Sequence, residues 1–144
     1  MKVVLDKGAV MPLSAHDTDG GYDLFSRETK TIPAHGSAVF DTGVHIELPT
    51  IEIGGEVFLT VGILKSKSGL NIKHNLTSTG TIDVGYTGSI KVKLYNHGDE
   101  PYTVISGDKI TQLVIYPILK PKLELVAALA DTERGDNGFG STGR

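Results

Sequence analysis

The sequence predicts an all-β domain, and three observations point that way. Eighteen glycines and six prolines cut the chain into short runs rich in β-branched residues, the punctuation of strands and turns. The run from Ser89 to Asn96 alternates, with Ile90, Val92 and Leu94 on one face and Lys91, Lys93 and Tyr95 on the other, the period of a half-buried strand. Helical patterning is poor throughout, and only Ser68 to His74 suits a single short turn of helix. A length of 144 residues leaves room for one core.

In chain order, Lys2 to Leu5 is the first expected strand. Thr31 to Pro33, Ser37 to Phe40 and Val44 to Leu48 follow, separated by Ala34-His35-Gly36 and Asp41-Thr42-Gly43. Val57 to Leu64 is apolar on both faces, which predicts a strand buried in the core. Ile110 to Ile115 and Leu123 to Val126 complete the set, with Pro117 and Pro121 expected to exclude a continuous ladder between them. From Asp131 to Arg144 there is one large apolar side chain, Phe139. That composition predicts a flexible tail after a folded core over 1–130.

Composition also excludes several function classes. Seventeen acidic residues against fourteen basic ones give a formal net charge of −3, so no broad basic face is available for the many phosphate contacts of a nucleic-acid binder. Without cysteine there is neither a disulfide framework nor a thiolate metal site. His16, His35, His45, His74 and His97 are scattered, without the i, i+4 spacing of a helical metal pair. No basic segment leads into an apolar run, and no stretch approaches the roughly 18 apolar residues of a membrane span. These absences lead us to expect a cytoplasmic protein with neither membrane nor nucleic-acid partner.

The stretch TGTIDVGYTGSIK, Thr79 to Lys91, carries the most chemistry. It opens at Gly80, places one carboxylate at Asp83, turns at Val84-Gly85 and is expected to re-enter a strand through Tyr86, Thr87 and Gly88. Glycine lets backbone approach a ligand closely or take positive φ, so the stretch suits presentation of a single charge to a ligand. Taken alone, it equally suits a plain hairpin with an exposed Asp and a surface Tyr. LKSKSGL, Leu64 to Leu70, is open in the same way: a strand exit with solvated lysines, or phosphate contacts from Lys67, Ser68 and Gly69 through ammonium, hydroxyl and amide. In the tail, Arg134 offers a bidentate fork to phosphate, Phe139 an aromatic plate, and Gly138, Gly140, Ser141, Thr142 and Gly143 a run of amides and hydroxyls.

DGGYDL (Asp19 to Leu24), LKSKSGL, TGTIDVGYTGSIK, GDKITQL (Gly107 to Leu113) and RGDNGFGSTG (Arg134 to Gly143) stand in this order. Together they closely resemble the five motifs of the trimeric all-β dUTP pyrophosphatases, the dUTPases, over nearly the whole chain from about Gly20 to Gly143. The resemblance implies a distorted jelly roll of the β-clip kind, assembled as a homotrimer whose flexible C-terminal arm closes over the active site. It implies hydrolysis of dUTP to dUMP and pyrophosphate, which sanitises the nucleotide pool and supplies dUMP for dTMP synthesis. The cofactor implied is Mg²⁺, held by the triphosphate and waters with no direct protein ligand. Each site would take its phosphate motifs from one subunit, its hairpin from a second and its arm from a third.

Residue by residue, the resemblance makes Asp83 the carboxylate that activates water for attack at the α-phosphorus, which is general-base work. Lys67, Ser68, Gly69 and Gln112 would contact phosphate, and Asp23 would orient the neighbouring motifs. Backbone groups around Gly80, Thr81 and Ile82 would read uracil, with Thr77 near a base-contacting position. Tyr86 would pack on the sugar and exclude a 2′-hydroxyl, and Lys91 is a further substrate contact. Phe139 would stack on uracil while Arg134, Gly140, Ser141 and Thr142 hold the γ-phosphate. This chain departs from the commoner pattern where Lys67 and Lys109 stand for Arg, Thr77 for Asn and Gly85 for Asp. Two other functions suit the same fold: a regulatory trimer that engages a protein partner, and a dCTP deaminase-like enzyme.

Overall fold

The computed structural model describes residues 1–136, and Phe139, Gly140, Ser141 and Thr142 lie outside them. Among the described residues there are eleven strands and one short helix. β1 (Lys2–Leu5) pairs with β5 (Val44–Glu47), and β3 (Lys30–Ile32) pairs with β10 (Tyr102–Val104). These two ribbons flank a sheet in the order β2 (Tyr22–Phe25), β11 (Lys109–Ile118), β7 (Glu56–Lys65), β8 (Leu76–Asp83), β9 (Lys91–Asn96) and β4 (Ser37–Asp41). All of its pairings are antiparallel, and β6 (Ile51–Ile53) joins β7 from the side. The result is a curled, jelly-roll-like all-β fold.

The strand β8 turns the sheet on itself. Leu76, Thr77 and Ser78 pair with Asn96, Tyr95 and Leu94 of β9, whereas Thr79 to Asp83 pair with Lys65 to Val61 of β7. The curl encloses one core, in which Leu24, Ile32, Phe40, Val44, Leu64, Leu76, Ile90, Val92, Leu94, Val104, Ile110 and Leu113 are fully buried. Polar groups inside it are satisfied. Asn96 Nδ2 donates to Glu100 O (2.8 Å) and Pro33 O (3.1 Å), while its Oδ1 accepts from the Gly98 amide (2.9 Å). Among the described residues, no buried side-chain nitrogen or oxygen lacks a partner, the condition for a stable polar interior.

The helix α1 (Ser68–His74) forms where the sequence allowed one turn, and it stops at Asn75, whose left-handed backbone (φ 53°, ψ 30°) closes the last carbonyls. β6 and β7 are joined by Gly54-Gly55, both at positive φ (62° and 84°), as a tight type I′ hairpin requires. No helix among the described residues is long and apolar enough to cross a membrane.

Several expectations are corrected. Tyr86 to Gly88 is not a strand; the chain re-enters the sheet only at Lys91, because the segment between is tied to the β4–β5 turn instead. Leu123 to Val126 forms no strand, and Leu123 and Leu125 are fully exposed. β11 runs through Pro117, which pairs with Thr60. There β11 has lost β2 as a neighbour, so a missing N–H is tolerated at an edge. β7 is not buried on both faces: Thr60, Gly62 and Leu64 are buried, but Val57 is 70% exposed where the strand meets β6 beyond the core. β2, β6 and β10, each of three or four residues, were too short to show a period.

Gly21 marks a close approach. A Cβ there would lie 2.9 Å from both Leu113 O and Val114 Cγ2, whereas at Gly20 it would meet nothing within 4 Å. Gly21→Ala is expected to cost about 1–3 kcal/mol by overpacking, and Gly20→Ala less than about 0.5 kcal/mol. Urea denaturation midpoints of the two variants check this.

Candidate active site

The register of β2 on β11 places Asp23 opposite Gln112, which in turn faces Lys65 at the end of β7. Beyond Lys65 the chain leaves the sheet in extended conformation at Lys67 (φ −68°, ψ 127°) and enters α1. A register shift between Lys109 and Thr111 re-aims the start of β11, as bulges do beside sites. Both lysines therefore reach one carboxylate. Lys67 Nζ lies 2.7 Å from Asp23 Oδ1 and Lys109 Nζ 2.8 Å from Asp23 Oδ2.

Asp23 is buried, with its side chain 5% exposed. Burial alone would raise its pKa, but hydrogen bonds and charge from Lys109 and Lys67 outweigh that and hold the carboxyl below its ordinary range. Two ammonium groups against one carboxylate leave a local surplus of one positive charge. Beneath them a hydroxyl network locks three strands: Ser78 Oγ meets Thr111 Oγ1 at 2.8 Å, Thr111 Oγ1 donates to Lys65 O at 2.9 Å, and Ser66 Oγ donates to Ser78 O at 3.0 Å. The first amides of α1, at Ser68 and Gly69, have no partner in the preceding turn of helix, and a Cβ at Gly69 would meet nothing within 4 Å. This corner presents cationic and N–H donors, the chemistry that binds phosphate.

The second part of the site lies where β8 leaves β9. Above the Ser78–Leu94 rung the two strands part, and no ladder joins Gly80 to Asp83 with Lys91 to Lys93. In the gap is a cavity of about 220 Å³ lined by Thr81, Ile82, Asp83, Tyr86 and Lys91. Unpaired strand edges present donors and acceptors at a fixed spacing, so backbone can read the edge of a planar base. Asp83 stands at the end of β8, where its carbonyl accepts the Tyr86 amide (3.0 Å) across the turn. Tyr86 is folded back so that its hydroxyl donates to Ser89 O (3.0 Å). Its ring lies against Gly88, where a Cβ would stand 2.6 Å from the tyrosine oxygen.

The expected residues thus fall into two groups. Lys67 and Gln112 lie at Asp23, with Ser68 and Gly69 following Lys67 at the start of α1; Thr81, Ile82, Asp83, Tyr86 and Lys91 line the cavity, with Gly80 next along β8. Thr77 joins neither: it lies in the paired part of β8 opposite Tyr95, its hydroxyl 2.8 Å from His97 Nε2. Arg134 is exposed in a segment without regular structure after β11. Lys109, noted in the sequence only as a substitute for Arg, proves an equal partner of Asp23; its signal was its place three residues before Gln112. The Ser78 and Thr111 hydroxyls gave none, because each sits singly in an ordinary strand, and Ser66 lies just past the end of β7 within LKSKSGL.

In one chain the two groups are apart. The Asp23–Gln112–Lys65 rung continues to Thr79, and Asp83 pairs with Val61 four rungs further along, a separation of about 13 Å at strand rise. No residue of the lysine corner lines the cavity.

The sequence model of the dUTPase family matches residues 7–143. The deoxyuridine 5′-triphosphate nucleotidohydrolase of Clostridium acetobutylicum is 45% identical over 142 residues, covering 96% of this chain and 92% of that one. Its counterpart in Crocosphaera subtropica is 42% identical over 144 residues, covering 98% and 96%. Among solved structures, the Staphylococcus bacteriophage 80alpha dUTPase with dUpNHpp is similar with a TM-score of 0.85 and 34% identity, over 99% of this chain and 98% of that one. Phage dUTPases of that group are described as controlling transfer of virulence genes by a proto-oncogenic G protein-like mechanism. A mutant dUTPase from phage phi11 of S. aureus, which reveals the coordination of a structural Mg(II) ion, has a TM-score of 0.77 at 32% identity over 90% and 98%.

The lowered pKa of Asp23 has a definite sign. Its ion pairs stabilise the fold fully above about pH 4, the unfolded value, and the contribution is lost as pH falls through the lowered folded value. Asp23→Asn is expected to cost about 1–3 kcal/mol at pH 7, less than a fully buried pair because Lys109 keeps a 38% exposed side chain. That gap should narrow below about pH 4. Urea denaturation of both proteins between pH 7 and 3 tests it, and a gap that does not change with pH refutes the assignment.

Proposed function

The chain belongs to the dUTPase family and is a dUTP diphosphatase, and we propose that it hydrolyses dUTP by the attack of an Asp83-activated water on the α-phosphorus. The observation that carries this reading is the parting of β8 from β9, which opens a cavity with unpaired backbone on its walls and a lone carboxylate at its rim. Uracil enters the gap and is read by backbone at Gly80, Thr81 and Ile82. Tyr86 packs on the deoxyribose, and Lys91 contacts the substrate from the facing strand. Asp83 takes a proton from water as its oxygen bonds to phosphorus, and the bond to the bridging oxygen breaks to release pyrophosphate.

Lys67, the amides of Ser68 and Gly69, and Gln112 contact the phosphates, with Lys109 adding positive charge behind them. Among the described residues, no three His, Asp or Glu gather as a metal cage, and the polar side chains lining the cavity carry only oxygen and ammonium groups. That donor set fits Mg²⁺ carried by the triphosphate and its waters, with no direct protein ligand. When bound, the ion neutralises triphosphate charge. The arm completes the site, with Phe139 on the uracil and Arg134, Gly140, Ser141 and Thr142 at the γ-phosphate.

The separation of about 13 Å along the ladder means that Asp83 and the lysine corner of one chain do not flank the same phosphorus. A second copy therefore brings its corner to this hairpin and a third supplies the arm, in a homotrimer of the cytoplasm. Leu119, Leu123, Leu125 and Leu129, all strongly exposed among the described residues, favour such assembly. A regulatory role by partner binding is favoured by the likeness to the phage 80alpha dUTPase, and on this fold it would accompany hydrolysis.

Pyrophosphate release from dUTP, dTTP, dCTP and UTP tests the reading. Activity is expected on dUTP alone, abolished by metal chelation and reduced by about 10²–10⁴-fold in Asp83→Asn. Equal activity in that variant refutes the general base, and release of ammonia from dCTP moves the assignment to a deaminase. Asp83→Asn and Lys67→Ala chains, each inactive alone, should regain activity in mixed trimers. If refolded mixtures stay inactive, the shared site fails.

A further inference from the structure

The loop Val84 to Ile90, at the mouth of the nucleoside cavity, rests on a polar network that does not itself line the site. Four residues of the β4–β5 turn hold it from below. Ser89 Oγ donates to Asp41 Oδ1. Thr42 Oγ1 donates to Ile90 O at 2.7 Å, and the Ile90 amide donates to Val44 O at 2.8 Å. His45 Nδ1 lies 2.8 Å from Thr87 O. Asp41 Oδ2 is held at 2.9 Å by Arg27, whose other terminal nitrogen is 3.3 Å from Asp6 Oδ2, and Asp6 Oδ1 is 3.2 Å from His45 Nε2. The contacts close into a ring that begins at Ser89 and ends at Thr87 of the same loop.

His45 is defined by its two neighbours. Thr87 O is a carbonyl and Asp6 Oδ1 belongs to a carboxylate ion-paired with Arg27; both accept and neither donates. One ring nitrogen faces each acceptor, so the imidazole bridges Asp6 and the loop. The charged groups around it are Asp6 with Arg27 behind it, Lys2 on β1 and Glu47 on β5, the last two also paired with each other at 2.9 Å. The loop itself faces His45 with the neutral Thr87.

We propose that His45 and Asp41 are positioning residues for the nucleoside pocket: through Thr87 and Ser89 they hold the loop that carries Tyr86. The proposal rests on the assignment of that cavity to the nucleoside. Tyr86 is tied to the ring because its hydroxyl bonds to Ser89 O, so movement of Ser89 moves the wall that excludes a 2′-hydroxyl. Loss of the His45 imidazole removes its contact with Thr87 O and loosens that wall. Affinity and preference for deoxyribose then fall together, while the chemistry at Asp83 is unchanged.

The test measures dissociation constants for dUpNHpp, and separately turnover of dUTP and UTP, for the wild type, His45→Gln, Asp41→Asn and Ser89→Ala. His45→Gln should bind about 3- to 10-fold more weakly, the equivalent of one hydrogen bond, with kcat for dUTP within about twofold. Its dUTP-over-UTP preference should fall in parallel. Ser89→Ala, which removes a single hydroxyl, and Asp41→Asn should weaken binding by a similar factor. Affinity and preference unchanged in all three variants overturn the proposal, as does lost kcat at unchanged affinity. A wild type that binds dUpNHpp without turning over dUTP refutes the Asp83 mechanism but leaves the loop test intact, whereas no binding at all overturns both.

Discussion

One buried carboxylate organises the cationic corner of this molecule. Asp23 on β2, Lys67 at the exit of β7 and Lys109 at the start of β11 are remote in sequence, and they meet within 2.7 and 2.8 Å. A carboxylate buried without counter-charge is strongly unfavourable, so the position of Asp23 is compatible with the fold only if both lysines come to it. The same requirement fixes the lysines. Held from below and still partly exposed, they have donors left for an anion, with one positive charge in excess. Arginine would engage a carboxylate or phosphate with a planar fork; lysine is a point charge, and here two of them share one acceptor.

The other half of the site depends on a strand that changes partners. β8 is paired with β9 for three residues and with β7 for five, and the parting of β8 from β9 is the cavity. Small and large residues alternate across the β7–β8 rungs, Gly62 facing Ile82 and Leu64 facing Gly80. A Cβ on Gly62 would lie 2.9 Å from Leu113 Cδ1, and one on Gly80 3.0 Å from Leu64 Cδ1. Close packing of this kind holds β8 against β7 and away from β9. The backbone edges left open are rigid because their opposite edges are laddered, which suits recognition of a planar base by main chain.

Support for the loop comes from elements with no motif of their own. Asp41, held below its ordinary pKa range by the Ser89 hydroxyl, the Gly43 amide and Arg27 against the cost of burial, is in sequence only a turn residue between two strands. Its importance follows from the approach of the β4–β5 turn beneath the loop. The network connects the mouth of the Asp83 cavity to Asp6 after the first strand and to Arg27 after the second, so the pocket's shape is set by residues that line none of it.

Much of this was legible in the residues alone. The alternation of Ile90, Val92 and Leu94 against Lys91, Lys93 and Tyr95 determined a half-buried strand, because side-chain period follows directly from backbone geometry. The order of five motifs around the glycine-framed Asp83 pointed to the family and to the hydrolysis of dUTP. Local sequence carries no record of pairing, however. It could not show that β8 divides between two neighbours, that Lys109 and Lys67 converge on Asp23, or that Tyr86 to Gly88 leave the sheet to rest on Asp41 and His45. Nor could it show that Pro117 sits harmlessly within β11, or that Leu123 and Leu125 lie outside any strand of their own chain. These were decided by contacts between residues distant in the chain, where burial, charge compensation and the register of neighbouring strands choose among conformations that the local residues equally permit.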